Sequence, residues 1–306
     1  MLGHDDISTS VSTGWTMLPK AAVPPRQKCN AFYARYFSTS TYKLIMKKIL
    51  LLVATAAAIS SCKKDDPATF DANSKGDITI EFDNIAGSSD LQLNTGTYTN
   101  ASGEAFKVST LKYYVSNFKF TKTDGTIYTV PQDSSYFLID ESNAASHEPT
   151  LSIPEGEYKA VSFMVGVDSL RNTMDISRRT GVLDPTTTGM YWGWNSGYIH
   201  LMLEGTSPAS TQAGNVFQYH IGLFGGMTSP TINNTRTVTL DLTARGTANV
   251  KKGKDTDVHL MADILKLFSG SSNLSIASVS AVHGEANSAP IANNYAAMFT
   301  HDHTHN

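Results

Sequence analysis

From residue 77 onward, apolar and polar residues alternate in short runs. The first run contains Ile78, Ile80 and Phe82, each separated by a polar residue. Successive side chains of a strand point to opposite faces, so a period of two predicts a β-strand with one buried face. Similar runs follow at 106–120, 127–130, 136–139, 158–167, 198–203, 216–223, 235–242 and 256–260. The pattern therefore predicts many short strands.

The longest run changes phase within itself. Apolar residues occupy odd positions over 111–115 and even positions over 118–120, so the change falls around Ser116-Asn117. The turn-forming pair Asp124-Gly125 follows, before the apolar residues of 127–130. This arrangement is typical of a β-hairpin.

Helical signals are few. Residues 262–268 and 291–299 each carry apolar residues at helical spacing over about two turns. Short strands separated by Gly, Asn, Asp and Ser indicate an antiparallel β-sandwich, jelly-roll or immunoglobulin-like, with one or two short helices. No linker interrupts the later sequence, so we predict one all-β domain over 77–306.

A segment with the three parts of a secretory signal begins at Met46. Two lysines precede an 11-residue apolar run, Ile49 to Ile59, and small residues precede Cys62. The run is shorter than the roughly 20 residues of a spanning helix, so a transmembrane anchor is the weaker interpretation. Ile59-Ser60-Ser61-Cys62 resembles a lipobox, which predicts a signal peptide over 46–61 and lipid attachment at Cys62. The alternative is a plain signal peptide with an incidental cysteine.

The segments on either side of this signal receive separate interpretations. Residues 1–45 lack an apolar run that could act in export, so we interpret them as a disordered extension from a mis-assigned translation start. Residues 62–76 are polar and predict a tether. Within them, 63–66 (KKDD) resembles the surface-export signal of Bacteroidetes lipoproteins, although a solvated linker is the alternative. We expect a membrane-anchored protein at the outer membrane or cell surface.

Charge and cysteine content narrow the choice of partners. From Cys62 onward the chain has 17 Lys and Arg against 25 Asp and Glu, a net charge of −8. This balance argues against nucleic acid as a partner. The other cysteine, Cys29, lies upstream, so disulfides and thiolate metal sites are unavailable after Cys62. Any metal must be held by other side chains.

The most unusual segment is 189–198 (GMYWGWNSGY), which contains two of the three tryptophans. Trp192 and Trp194 would project from the same face of a strand. From the residues alone, a buried aromatic cluster is the favoured interpretation, because indoles bury a large area in β-sandwiches. Asp168 and Asp184 lie at turns before this segment, and backbone capping is the commoner role for such residues.

Histidine is the second unusual feature, with eight of nine in the processed chain. The tail alternates His301, His303 and His305, which an ideal strand would point the same way. Imidazole without thiolate suits copper, zinc, nickel or iron. A lone histidine such as His220 or His283 within an apolar strand is, however, more often a hydrogen-bonded core residue than a ligand.

Catalytic signatures are missing from the sequence. It has no G-x-S-x-G elbow, no phosphate-binding glycine loop and no H-E-x-x-H motif. We therefore assign no catalytic residue and predict a binding protein rather than an enzyme.

Several of these segments, taken in order from about Asp77 to Asn306, resemble the MbnP family of extracytoplasmic copper-binding proteins. The segments that carry the resemblance are Tyr114-Val115-Ser116-Asn117-Phe118, Ile153-Pro154-Glu155-Gly156-Glu157-Tyr158, Gly166-Val167-Asp168, the aromatic segment 189–198, Tyr219-His220-Ile221-Gly222, and Asn294-Tyr295 with Met298-Phe299.

The resemblance implies a β-rich fold, copper held largely by histidines and, in some members, a tryptophan oxidised to kynurenine by a di-haem enzyme of the MauG type. Trp192 or Trp194 would be the modified residue. The candidate copper ligands are His220, His283, His301 and His303, with His259 in reserve. The alternative function is a β-sandwich binding or adhesion module without metal. Convergence of two or three of these histidines near either tryptophan would favour copper.

Overall fold

The computed structural model describes residues 69–193, 195–271, 273–284 and 286–306. These residues belong to one compact unit, Ala68–Asn306, which contains two β-sheets and little helix. The predicted all-β sandwich is confirmed. Cys62, the leader at 46–61 and the extension at 1–45 lie outside the described residues, as does Trp194.

The strands are β1 (Lys75–Ala86), β2 (Ser89–Asp90), β3 (Tyr98–Thr99), β4 (Ala105–Lys122), β5 (Ile127–Thr129), β6 (Tyr136–Asp140), β7 (Thr150–Pro154), β8 (Gly156–Val165), β9 (Tyr191–Gly193), β10 (Gly197–Thr206), β11 (Val216–Gly222), β12 (Arg236–Asp241), β13 (Ala248–Val250), β14 (Asp257–Asp263), β15 (Ala281–His283) and β16 (Phe299–His305). The helices are α1 (Ser169–Thr173) and α2 (Ser288–Tyr295), with 3₁₀ turns at Gln132–Ser134, Ala144–Ser146, Ile176–Arg178, Gly181–Leu183, Ala213–Asn215 and Ile264–Phe268.

The two sheets differ in size. The smaller has the order β16-β14-β1-β2, with β7 also paired to β1. The larger has the order β12-β8-β4-β10-β11-β15, with β3, β5 and β6 on β4, β13 on β8 and β9 on β10. Most pairs are antiparallel, as predicted, but β1 with β14 and β11 with β15 are parallel. Both parallel pairs carry histidines discussed below.

The core forms where the apolar faces of the two sheets meet. In β1, Ile78, Ile80 and Phe82 are fully buried, while the residues between them face outward. Phe82 packs edge to face on Phe163 of the larger sheet, with ring centroids 5.4 Å apart. Burying an aromatic or aliphatic side chain of this size contributes about 1.5–3 kcal/mol. The apolar positions of the alternating pattern therefore form the core face of the strand.

The phase change within β4 is a bulge. Asn117 adopts a left-handed conformation with φ of 54°, and the register with β8 shifts between Ser116 and Lys119. Asparagine tolerates this conformation better than most residues. The irregularity moves the buried positions from odd to even numbers and explains the apolar pattern on either side of it.

Some elements differ from the predictions. The strands β2, β3, β7, β13 and β15 were not predicted, and four of them have only two or three residues, too few to show a period. The predicted helix at 262–268 is instead the end of β14 followed by a 3₁₀ turn, and the second helix covers Ser288–Tyr295 rather than 291–299. β1 starts at Lys75, within the predicted tether.

Among the described residues, the structure contains no helix with the length and apolar character needed to cross a membrane.

Candidate metal centres

The aromatic segment contributes to a small second core on the larger sheet. Tyr198 and Met190 are fully buried there, and Tyr191 pairs with Tyr198 across β9 and β10 with ring centroids 4.9 Å apart. Trp192 is only half-buried and packs against the edge of this cluster. The segment is therefore largely the buried aromatic cluster that the residues alone favoured, with Trp192 at its border.

Trp192 lies directly on the backbone of β11. A Cβ placed on Gly222 would come within 2.7 Å of Cζ3 and 3.2 Å of Cε3 of the indole, so only glycine leaves room for this contact. Gly222 and His220 are two residues apart in a strand, and their side-chain positions share one face. The indole therefore covers Gly222, the neighbouring position to His220 on that face of β11.

His220 and His283 form a pair on that face. They are directly opposite each other in the parallel strands β11 and β15, and their rings meet edge to face with centroids 4.4 Å apart. Glu204, on β10, places Oε1 at 2.8 Å from Nε2 of His220. Glu204 therefore fixes the orientation of one imidazole of the pair.

The surroundings of His283 favour its neutral form. Burial lowers the pKa of His283, and the neighbouring His220 lowers it further against the opposing effect of Glu204. A neutral imidazole keeps a lone pair that can bind a metal ion. His220 and His283 in contact place two imidazole rings, and so two potential nitrogen ligands, within a small volume.

A second group of histidines lies on the smaller sheet. His259 of β14 is opposite His303 of β16, and their Nδ1 atoms are 3.3 Å apart. Asp302 Oδ2 is 2.7 Å from Nδ1 of His303 and 3.6 Å from Nδ1 of His259. Among the described histidine, cysteine and acidic residues, this is the set of three whose ligand atoms all lie within 4.8 Å of one another.

His301 does not join this group. The register of β14 with β16 shifts between His259 and Leu260, so that His301 pairs with Leu260 and Asp302 is the extra, bulged residue. Leu260 is fully buried, and residues directly opposite each other share a face of the sheet. His301 therefore lies on the core face, where Nε2 is 2.9 Å from the Thr304 hydroxyl. The expectation that the tail histidines point one way is wrong because of this bulge.

The candidate ligands thus form two pairs rather than one centre. His220 and His283 lie on the outer face of the larger sheet, since the alternate residues Tyr219 and Val282 are buried in the core. His259 and His303 lie on the outer face of the smaller sheet by the same reasoning. The core separates the two faces. Among the described residues, Trp192 lies on the face of the first pair, against Gly222.

Comparison with known proteins identifies the family. The MbnP family model matches residues 75–287 of this chain. The chain belongs to the MbnP family. Among solved structures, MbnP from Methylosinus trichosporium is 18% identical over 69% of this chain and 82% of its own, with a TM-score of 0.49. No curated protein matches the sequence.

The family match covers the first group completely and the second group only in part. It includes Trp192, His220, His259 and His283 of this MbnP-family chain, and it ends before β16. The tail residues Asp302 and His303 are therefore outside the part of the chain that the family model describes.

Two other histidines of the MbnP-family domain have structural roles. His200 is fully buried, where Nδ1 accepts a hydrogen bond from the Val167 amide and Nε2 donates to the Leu223 carbonyl. Burial lowers its pKa to about 4. His147 Nε2 lies 3.2 Å from the Asp140 carbonyl.

The turn aspartates cap backbone amides rather than bind metal. Asp168 is the N-cap of α1 and accepts from the Arg171 amide, while Asp184 accepts from the Thr186 amide. Sequence reasoning overlooked Glu204 and Asp302 as site residues. The i+2 spacing of His220 from Gly222 was visible, but the position of Glu204 depends on strand register, which no local pattern encodes.

Proposed function

We propose that this MbnP-family chain binds copper at His220 and His283, beside Trp192, as a lipid-anchored protein of the cell surface. The observation that supports this most directly is the coincidence on one sheet face of an imidazole pair and an indole. These residues come from three strands that are distant in sequence.

The donor set fits copper. Nitrogen ligands without thiolate suit Cu(II), and the described part of the chain contains no cysteine. Glu204 would hold His220 in the tautomer that leaves Nδ1 free, the role that a carboxylate commonly has beside a ligating histidine. We propose that copper bound in this way is carried rather than used for turnover.

A third ligand at this pair requires another residue type. Among the described acidic, cysteine and histidine residues, none completes a compact set of three with His220 and His283. Trp192 is next along the same face, but an indole is a hydrogen-bond donor only. Oxidation of Trp192 by the partner enzyme, with dioxygen or two equivalents of peroxide as oxidant, would add two oxygen atoms across the C2–C3 bond of the indole. Hydrolysis of the resulting N-formyl group would release C2 as formate and leave kynurenine, whose aromatic amine can bind metal. We therefore propose Trp192 as the modified residue and a di-haem oxidase of the MauG type as the partner.

The anchor rests on the sequence alone. Cys62 follows a signal-like segment, and the tether of 62–76 leads to a domain whose first strand begins at Lys75. Lipid at Cys62 would hold the domain at the outer membrane. Labelling of expressing cells with a radioactive fatty acid tests this. Label retained in Cys62→Ser would contradict the assignment.

Metal analysis tests the copper site. The full-length chain and the variants His220→Gln and His283→Gln are purified from cells grown with copper and the di-haem partner. We expect about one copper per chain in the parent, and copper titration of the metal-free proteins should show an affinity at least about tenfold weaker in each variant. His147→Gln, which alters a histidine on neither pair, is the matched control and should retain copper.

Peptide mass mapping tests the tryptophan. Conversion of an indole to kynurenine replaces one ring carbon by oxygen and adds about 4 Da. We expect this increase on the peptide that contains Trp192, and its absence in Trp192→Phe. Copper bound equally by all variants, without any mass change, would contradict the proposal.

The alternative function, a binding or adhesion module, has one supporting observation. Leu170, Ile176 and Val182 are exposed by 59%, 62% and 37% on the segment between β8 and β9. Exposed apolar groups of this kind suit contact with a protein partner. A copper-free domain with retained partner capture through these residues would favour this function.

A further inference from the structure

We propose that the chain has a second metal site, built from His259, His303 and Asp302, which binds a divalent ion such as Zn²⁺ independently of the copper site and of any tryptophan oxidation. The proposal goes beyond the copper function above, because it concerns the opposite face of the sandwich and includes two residues, Asp302 and His303, that lie outside the family match.

The distances fit a tetrahedral centre. With metal–nitrogen and metal–oxygen bonds of about 2.0–2.1 Å, ligand atoms around a tetrahedral zinc lie about 3.3 Å from one another. The Nδ1 atoms of His259 and His303 are 3.3 Å apart. Asp302 Oδ2 lies 3.6 Å from the first and 2.7 Å from the second. Small side-chain shifts bring the carboxylate to the same spacing.

The bulge in β16 is what supplies the third ligand. In a regular strand, Asp302 would point away from the face that holds His303. The register shift inserts Asp302 as an extra residue opposite β14 and lets its carboxylate reach both imidazoles. β-bulges commonly redirect a side chain in this way.

The second ring nitrogen of His259, Nε2, is also placed as expected for a histidine that binds metal through Nδ1. Its Nε2 is buried and has no hydrogen-bond partner, yet Glu81 Oε1 and Asp83 Oδ2 each lie 3.7 Å away. When Nδ1 of a histidine binds metal, Nε2 carries the proton and is directed at a carboxylate. Glu81 and Asp83 on β1 are placed for that role.

The charge on this face calls for a cation. Asp257, Glu81, Asp83 and Asp302 surround the imidazoles, and Asp257 has a buried oxygen, Oδ1, without a hydrogen-bond partner. Arg245 meets Asp302 Oδ1 at 3.2 Å, but its side chain is 61% exposed, so solvent screens its charge. A divalent ion between His259, His303 and Asp302 would balance the excess carboxylate charge.

The fourth position is open to water or to the tail. His305 Nε2 lies 2.9 Å from Nε2 of His303, so His305 orients the ring of His303 rather than joining the three ligand atoms. Nitrogen and oxygen donors without sulfur favour zinc, nickel, cobalt or Cu(II). Cobalt is therefore a suitable spectroscopic substitute for zinc.

Zinc titration of the full-length chain tests the site. We measure Zn²⁺ affinity by calorimetry and follow Co²⁺ by its visible absorption, which is strong for tetrahedral coordination. The variants are His259→Gln and His303→Gln, each expected to weaken Zn²⁺ binding by at least about tenfold. His301→Gln changes a histidine of the same strand on the opposite face and should stay within about twofold of the parent.

The variants also separate this site from a flexible chelating tail and from the copper site. If His259→Gln retains Zn²⁺ binding, the tail binds the ion without His259 and the proposal is wrong. Loss of Zn²⁺ binding in His301→Gln would also contradict the proposal. The double variant His220→Gln/His283→Gln should bind Zn²⁺ normally, whatever it does with copper. Because His259 is partly buried, thermal unfolding is used to verify that the His259→Gln variant is folded. His303 is more exposed, so His303→Gln provides an independent measurement.

Discussion

Arg179 donates a hydrogen bond of 2.8 Å from Nη1 to the hydroxyl of Tyr191, and its guanidinium lies over the ring of Tyr191 at 5.6 Å. The same side chain donates from Nη2 to the Asn172 carbonyl and from Nε to the Met174 carbonyl. This buried arginine therefore ties the segment between β8 and β9 to the strand that carries Trp192. We expect this connection to help hold the indole of Trp192 beside the proposed copper site.

Loss of Arg179 should loosen that segment. In Arg179→Ala, the Asn172 and Met174 carbonyls lose their donors, and an unsatisfied buried acceptor costs about 1–3 kcal/mol. We expect the free energy of unfolding to fall by about 2–4 kcal/mol in urea denaturation. Limited proteolysis should show faster cleavage within residues 173–190.

The neighbouring arginine offers a matched control. Arg178 has the same charge but is exposed, so Arg178→Ala should change the free energy of unfolding by less than about 0.5 kcal/mol. Arg179→Lys keeps the charge but lacks the planar fork of donors, and we expect an intermediate loss. Equal stability of the Arg178 and Arg179 variants would show that the connection is unimportant.

His200 should make the stability of the domain depend on pH. Its folded pKa is about 4 because burial disfavours the charged ring, whereas the usual value is 6.5. Between these values the unfolded chain binds the additional proton. The contribution of neutral His200 is therefore complete above pH 6.5 and is lost as the pH falls towards 4. The loss at pH 4.5 is about 2–3 kcal/mol.

Urea denaturation at pH 7.5 and 4.5 measures this dependence. In His200→Gln, the amide can still accept from Val167 and donate to Leu223, but it does not titrate. The difference in free energy of unfolding between parent and variant should therefore shrink at the lower pH. Other acid-sensitive groups affect both proteins alike. A parallel decline in both proteins would show that His200 is protonated as easily in the fold as outside it.

The sequence showed the phase change that the structure explains as a bulge in β4, but it gave no sign of the bulge in β16, for a physical reason. Apolar residues flank Asn117 on both sides, so the phase of burial records the inserted residue. Around Asp302, the tail is polar on both faces, and nothing in the alternation of histidines marks the insertion. A bulge is visible in a sequence only where one face is buried.

Strand partners were similarly hidden. β1 pairs in parallel with β14, and the positions of Glu81 and His259 are opposite each other although they lie far apart in the chain. No local pattern encodes such a pairing. The individual strands, the family and the aromatic segment could thus be predicted, whereas the division of the histidines into two groups required the sheet topology.

Asp168 should be the most sensitive carboxylate of the segment that leads to Trp192. It accepts hydrogen bonds from Asn117, Gln132 and Tyr136 and from the Arg171 amide. Burial alone would raise its pKa, but these hydrogen bonds outweigh that effect and lower it. Asp168→Ala should destabilise the domain by about 2–4 kcal/mol, because several donors lose a charged acceptor together.

The pH dependence of that loss has a definite direction. Since the folded pKa of Asp168 is depressed, its carboxylate contributes fully above about pH 4 and less as the pH falls through the folded value. The gap between parent and Asp168→Ala in urea denaturation should therefore narrow in acid. Asp255→Ala removes an exposed carboxylate and should change the free energy of unfolding by less than about 0.5 kcal/mol.

Gly222 should be intolerant of even one methyl group. A Cβ there would lie 2.7 Å from Cζ3 of Trp192 and 2.8 Å from the Tyr198 carbonyl oxygen. Gly222→Ala must displace the indole or the strand, and overpacking of this kind costs about 1–3 kcal/mol. Urea denaturation measures this cost in free energy of unfolding. The cost should be smaller in a Trp192→Leu background, because the contact with the indole is gone. It should not vanish, because the contact with the Tyr198 carbonyl persists. If the indole also completes the copper site, Gly222→Ala should reduce copper uptake more than its loss of stability alone would. If Gly222→Ala costs the same free energy of unfolding with tryptophan or leucine at position 192, the indole does not contact Gly222. That result would also contradict the placement of the indole near His220.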